Sequence, residues 1–207
     1  MILDLLDESL TGHVLGKNSG TDTWRALSDH FDGKAGPAVT MTELQRHVSA
    51  PNEMIYADLL FPGQHNRTQF SAVLVILDAF SKFVSVFLLK SKTQDEVNMH
   101  IQQYIRWAER QTCRVCVEGD EVTHRVKKTL TDRGTEFVNH ASEQWYADAG
   151  IVHVKVGSKS SHLNPCERVH QTLVGMVKAM MEQSGLPSSL WPEALYTAAY
   201  IKQQDEQ

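Results

Sequence analysis

A chain of 207 residues can bury a full hydrophobic core, with room for one domain of ordinary size and a small appendage. Its 42% hydrophobic and 22% charged residues match an ordinary globular composition, and no apolar run approaches the roughly eighteen residues of a membrane span. A formal charge of −5 speaks against a strong general affinity for nucleic acid, and three cysteines (Cys113, Cys116, Cys166) fall short of a secreted disulfide framework, so an intracellular, reduced protein is expected.

Residues 1–50 read as a small helical segment separate from the rest. Leu3, Leu6 and Leu10 recur at helical spacing, as do Trp24, Leu27 and Phe31 behind the cap-like Thr21-Asp22. Asp32-Gly33 and Gly36-Pro37 break that pattern. Thr40-Met41-Thr42-Glu43 then has capping-box spacing ahead of a short helix carrying Leu44 and Val48.

A second region follows over 52–203. Met54-Ile55-Tyr56-Ala57-Asp58-Leu59-Leu60 reads as a strand. Beyond Pro62-Gly63, the apolar runs 71–77 and 83–89 bracket Asp78-Ala79-Phe80-Ser81-Lys82 and read as antiparallel strands, with Asp78 as a hairpin or helix-facing residue. Thr93-Gln94-Asp95-Glu96 has capping-box spacing, and Val97, Ile101, Ile105 and Ala108 form the buried stripe of the helix behind it. A polar connection, 111–126, leads to a strand ending at Asp132. A short helix over 141–149 closes on Gly150, a strand spans 151–156, and helices are expected over 165–183 and 190–203. Three strands, helix, strand, helix, strand and two helices make an α/β fold with a mixed sheet covered on both faces.

Three carboxylates stand out. Asp58 lies in a strand of mostly apolar residues, where a charge is costly unless paired or metal-bound; a strand-end Asp facing solvent is the plain alternative. Asp132 opens an Asp-x-Gly turn, and Glu136 beside it reads as a turn residue rather than a ligand. Glu167 falls at the third position of a helix, after Asn164 as N-cap and Pro165 at the first position, so a capping role is equally open to it. Two strand-borne aspartates and a helix-borne glutamate form the hard oxygen set that Mg²⁺ takes in phosphoryl transfer. Between His153 and Lys178 the charge is locally basic: Lys155, Lys159, Arg168 and Lys178 surround Glu167. Helical spacing sets Glu167 on one face with His170, Gln171, Val174 and Lys178, opposite Val169, Leu173, Met176, Val177 and Met180. Cys113-x-x-Cys116 with His124 invites a zinc reading, but no fourth ligand lies nearby in sequence. Trp107, Trp145 and Trp191 read as packing residues.

At these residues the chain resembles a known family. From Asn52 to Lys202 it is similar to the integrase catalytic core, of the DDE type, of long-terminal-repeat retrotransposons, and in particular of copia-like elements. The resemblance is carried by Leu74-Val75-Ile76-Leu77-Asp78-Ala79-Phe80-Ser81-Lys82, by Thr131-Asp132-Arg133-Gly134-Thr135-Glu136-Phe137, by Gly150-Ile151-Val152-His153 and by Leu186-Pro187-Ser188-Ser189-Leu190-Trp191-Pro192-Glu193-Ala194. Part of the 2–31 stretch, with Thr23-Trp24 and Ala26-Leu27, is similar to the helical domain of the gag polyprotein of such elements, which implies a gag-derived segment over 1–50.

The resemblance implies a ribonuclease-H-like fold and metal-dependent DNA strand transfer. Asp58, Asp132 and Glu167 would be the catalytic residues and ligands of Mg²⁺ or Mn²⁺, two ions together. Lys159, Asn164, His170, Gln171 and Lys178 would contact nucleic acid, with element ends and target DNA as partners, a homo-oligomer as the working form and the nucleus as its place of action. The sequence departs from the copia pattern: Gln-Asn-Gly-x-x-Glu is replaced by Asn164-Pro165-Cys166-Glu167, and Asp132 to Glu167 is one residue shorter than is typical. Asn-Pro-x-Glu-Arg resembles a gypsy-type variant instead. No cysteine precedes Cys113, so the family's His-His-Cys-Cys zinc module is not expected, and a fragment or rearranged copy is. The rival expectation is an inactive integrase remnant that binds DNA or protein without chemistry.

Overall fold

The structure, a computed structural model, describes residues 48–62, 67–112, 114–115, 121–122, 124–157 and 165–205. Of the helical segment expected over 1–50, residues 1–47 lie outside the described residues, as do Cys113, Cys116, Lys159 and Asn164, while 48–50, with Val48, are not helical.

Three strands come first: β1 (Met54–Leu60), β2 (Ala72–Asp78) and β3 (Val84–Leu89). Helix α1 (Gln94–Gln111) follows. Next come two short strands, β4 (Arg114–Val115) and β5 (Glu121–Val122), then β6 (Lys128–Asp132). Helix α2 (His140–Asp148), strand β7 (Val152–Val156) and helix α3 (Pro165–Ser184) lead to a 3₁₀ turn (Ser188–Leu190) and α4 (Trp191–Asp205). The expected order is reproduced with one addition: the polar connection after α1 contains β4 and β5, paired as a separate antiparallel ladder.

The main sheet runs β3-β2-β1-β6-β7. β1, β2 and β3 are antiparallel neighbours, as the two apolar runs around a tight turn require, while β6 joins β1 and β7 joins β6 in parallel through helical crossovers. β2 is buried along its whole length because it is covered on both faces. On one face Ile55, Ala57, Leu59, Leu74 and Ile76 pack under Val97, Ile101, Tyr104, Ile105 and Ala108 of α1 and Tyr146 of α2. On the other, α3 lies against β1 and β2, and α4 against β3. Strand alternation therefore turns Tyr56 and Asp58 toward α3.

Two caps differ in kind. Asn139 and Ser142 form a reciprocal capping box at the start of α2. At α1, Thr93 makes no side-chain cap; Glu96 instead accepts from the Lys90 and Ser91 amides, each at 2.9 Å, and from the Ser91 hydroxyl, tying the helix to the end of β3. Asp78 is 2% exposed and is indeed a hairpin residue: its Oδ1 accepts from the Asn52 amide at 2.8 Å, and its Oδ2 from the Ser81 amide and hydroxyl at 2.7 and 2.6 Å. Asn52, at φ 65°, donates from Nδ2 to the carbonyl oxygens of Ala108 and His124, at 3.1 and 3.2 Å. One buried Asp–Asn pair thus joins the β2–β3 turn, the end of α1 and the approach to β6. Trp145 packs against the core, Trp191 meets Phe70 edge to face, and Trp107 stacks on Phe83, so all three are packing residues, the last remaining partly exposed.

Candidate functional site

The parallel register of β1 and β6 places two of the three carboxylates. Tyr56 pairs with Leu130, and Asp58 and Asp132 each lie two residues further along their strands. Equal offsets on neighbouring parallel strands put both side chains at one level and on one face of the sheet. That face is the one covered by α3, whose first turn carries Glu167.

Each carboxylate is held differently. Asp58 Oδ1 accepts from the Leu59 amide at 2.9 Å, and its side chain is 22% exposed. Asp132 Oδ1 accepts from the Gly134 amide at 3.0 Å, so the Asp-x-Gly turn read from the sequence is real and orients this carboxyl. Glu167 is exposed at the positive end of α3. Glu136 is half-buried, and its carboxyl folds back over Gly134: a Cβ on that glycine would come within 2.6 Å of Glu136 Cδ. Glycine at that position leaves the carboxyl its space.

Electrostatics brings the four together. Burial pushes the Asp58 carboxyl up to about 6; the Leu59 amide pulls it back, and the negative charges of Asp132, Glu167 and Glu136 add to the rise. Glu136 is the turn residue expected from the sequence, and its charge also reaches Asp58. A local signal for it exists: a carboxylate two residues beyond a turn glycine can return to the group that opens the turn. Among the described residues, no three His, Cys, Asp or Glu side chains converge closely enough to make a ready-formed metal cluster. Yet the donors are all carboxylates, and Asp58 feels the charge of the other three, so the set suits a hard dication.

The helical face assigned to α3 needs one correction. Gln171 and Lys178 are exposed with Glu167, as expected, whereas His170 turns inward. Its side chain is 13% exposed, Nδ1 lies 4.0 Å from Asp58 Oδ2, and among the described residues Nε2 is buried without a hydrogen-bond partner. Burial holds this imidazole down to about 4, so at neutral pH it meets Asp58 as an uncharged dipole rather than as an ion-pair partner. Cys166, beside it on the buried face, is fully buried, and burial raises its thiol well above the usual range.

Comparison with known proteins decides the family. Residues 48–158, more than half of the chain, match the model of the integrase core domain. The chain belongs to that family. The match takes in Asp58 and Asp132; Glu167 stands on α3 beyond it. This integrase core is 28% identical over 151 residues to the retrovirus-related Pol polyprotein from transposon TNT 1-94 of Nicotiana tabacum, an alignment covering 72% of this chain and 10% of the polyprotein. The chain thus spans about a tenth of the length of that relative. Among solved structures, it is similar to the HTLV-2 integrase catalytic core domain in complex with magnesium, with a TM-score of 0.51 at 19% identity over 72% of this chain and 84% of that one. It is also similar to a chain of the simian T-cell lymphotropic virus intasome in complex with PP2A regulatory subunit B56 gamma, with a TM-score of 0.54 at 21% identity over 72% of this chain and 48% of that one. The integrase core therefore has the ribonuclease-H-like fold that the resemblance implies, a mixed five-stranded sheet flanked by helices.

Proposed function

We propose that this integrase core carries out metal-dependent DNA strand transfer, with Asp58, Asp132 and Glu167 as catalytic residues and metal ligands. The observation that carries the reading is the pairing of Asp58 and Asp132 at one level of adjacent parallel strands, under the helix end that bears Glu167. Two Mg²⁺ or Mn²⁺ ions bound there would supply Lewis acidity to the attacking and leaving oxygens of an in-line displacement. Each strand carboxylate is held by a nearby backbone amide, Asp58 by that of Leu59 within β1 and Asp132 by that of Gly134 at its turn, which spares reorganisation when a cation arrives. Glu167, exposed on α3, is the ligand free to adjust, and Glu136 adds negative charge beside the strand pair.

Gln171 and Lys178 extend along α3 from Glu167 and are exposed to reach phosphates, with Lys159 and Asn164, which precede α3 in the sequence, as further contacts; these position a strand rather than read its sequence. His170 acts on Asp58 from inside instead of on DNA. In this reading the partners are element-end and target DNA, the working form is a homo-oligomer and the place of action is the nucleus. In the same reading residues 1–50 are gag-derived and precede a core spanning 52–203 in the sequence.

The second reading, an inactive remnant that binds DNA or protein, is favoured by the incomplete convergence of the carboxylates. A Mn²⁺-dependent disintegration assay on branched DNA separates the two. Activity in the parent that is lost in Asp132→Asn and Glu167→Gln supports strand transfer. A folded parent with no activity supports the remnant.

A further inference from the structure

Behind Asp132, on the opposite side of β6 from Asp58, lies a polar chain that the proposed reaction does not use, buried at Thr131 and His153 and open to solvent at Glu143 and Lys155. Lys155 Nζ lies 3.0 Å from Glu143 Oε2, and Glu143 Oε1 lies 2.7 Å from His153 Nδ1. His153 Nε2 is 2.8 Å from Thr131 Oγ1, and that hydroxyl is in turn 2.8 Å from the backbone carbonyl oxygen of Asp132. The His153 side chain is 3% exposed, Thr131 is fully buried, and the Tyr146 ring covers the imidazole with its centroid at 4.6 Å. The chain joins α2, β7 and the last residues of β6.

We propose that Glu143, His153 and Thr131 form a tautomer-locked relay that positions Asp132. The argument is a count of protons. Burial works against ionising Glu143, yet the hydrogen bonds from Lys155 and His153 hold its carboxyl below the usual range, so it is an acceptor only. It therefore requires a proton on His153 Nδ1. Burial keeps the imidazole below its ordinary value, so at neutral pH that proton is its only one and Nε2 is an acceptor. Thr131 then has one hydroxyl proton for two acceptors, Nε2 and the Asp132 carbonyl, both at 2.8 Å. With Glu143 in place the proton is drawn to His153. Without it, the imidazole can carry its proton on Nε2, donate to Thr131 and release the hydroxyl proton to Asp132. Glu143 thus selects how the end of β6 is held, without touching it. In treating Asp132 as a ligand, the inference rests on the proposed function.

The test uses the full chain and two readouts. Long-range ¹H–¹⁵N spectra of His153 are expected to show the Nδ1–H tautomer in the parent and Nε2–H in Glu143→Ala, with the Asp132 carbonyl ¹³C signal shifted in Glu143→Ala and Thr131→Val and kept in Thr131→Ser. Mn²⁺ affinity is expected to fall about ten-fold in Thr131→Val and to return in Thr131→Ser. An Nε2–H tautomer in the parent, or an Asp132 carbonyl signal unmoved by Glu143→Ala, overturns the relay. If Thr131→Val does not fold, Glu143→Ala, a substitution on the helix surface, decides between these outcomes alone. A parent that binds no Mn²⁺ while the carbonyl signal responds overturns the metal reading and leaves the relay intact.

Discussion

His170 and Asp58 face each other across the α3–β1 contact at 4.0 Å, and burial drives both toward their uncharged forms. The carboxyl is raised to about 6 and the imidazole lowered to about 4, so in the interval between them neither carries its charge. A positive His170 would have made this an ordinary ion pair; a neutral one adds no charge of its own to offset the burial of Asp58.

Opposed pH dependences follow from that pair. A raised carboxyl pKa favours folding below the unfolded value of about 3.8, and that advantage is lost as pH rises through about 6. A lowered imidazole pKa favours folding above about 6.5, and that advantage is lost as pH falls from there through about 4. Each amounts to about 2 to 3 kcal/mol at full extent, and over pH 4–6.5 they offset one another. In urea unfolding with a chelator these two contributions should therefore cancel in the parent, leaving the loss toward acid that His153, also held below its ordinary value, supplies. Asp58→Asn should reveal a loss of stability toward acid, and His170→Gln a loss toward alkali. Parallel profiles for both variants would contradict the assignment.

Cation addition should act where Asp58 is ionised. At pH 8, millimolar Mn²⁺ should raise the Tm of the parent by several degrees through binding to the folded state alone. The rise should vanish in Asp58→Asn and shrink at pH 5, where the carboxyl is protonated. Differential scanning calorimetry at the two pH values reads this directly.

Gly134→Ala tests Glu136. The new methyl would meet the Glu136 carboxyl, the movable end of a flexible side chain, so stability should change by less than about 1 kcal/mol. The displaced carboxylate should no longer raise Asp58, whose NMR titration midpoint should move down. An unmoved midpoint would remove Glu136 from the site.

Asp78→Ala should be severe. Three hydrogen bonds of 2.8 Å or less end on this buried carboxyl, and their donors would be left unpaired. A loss of about 3 kcal/mol or more in chemical unfolding is expected, with Asp78→Asn recovering part of it.

Much of the fold was legible because its elements carry strong periodicity. The apolar runs around Asp78 could only be a buried hairpin, the α1 stripe from Val97 to Ala108 could only face a core, and Gly150, at φ 69°, ends α2 as a C-cap glycine should. The β4–β5 ladder escaped because strands of two residues have no period to read.

The sequence by itself determined the element order and the three carboxylates, since residue type and spacing along one strand or helix are local properties. It set His170 on the exposed face with Glu167, but at 100° per residue this side chain stands about 60° from both Glu167 and Leu173, so periodicity places it no nearer the one face than the other. Only docking of α3 onto β1 turned it inward to Asp58. The level pairing of Asp58 with Asp132, the return of Glu136 and the Glu143–His153–Thr131 chain were likewise decided by tertiary structure. Each depends on strand register or helix docking between segments far apart in the chain, and no local spacing encodes that.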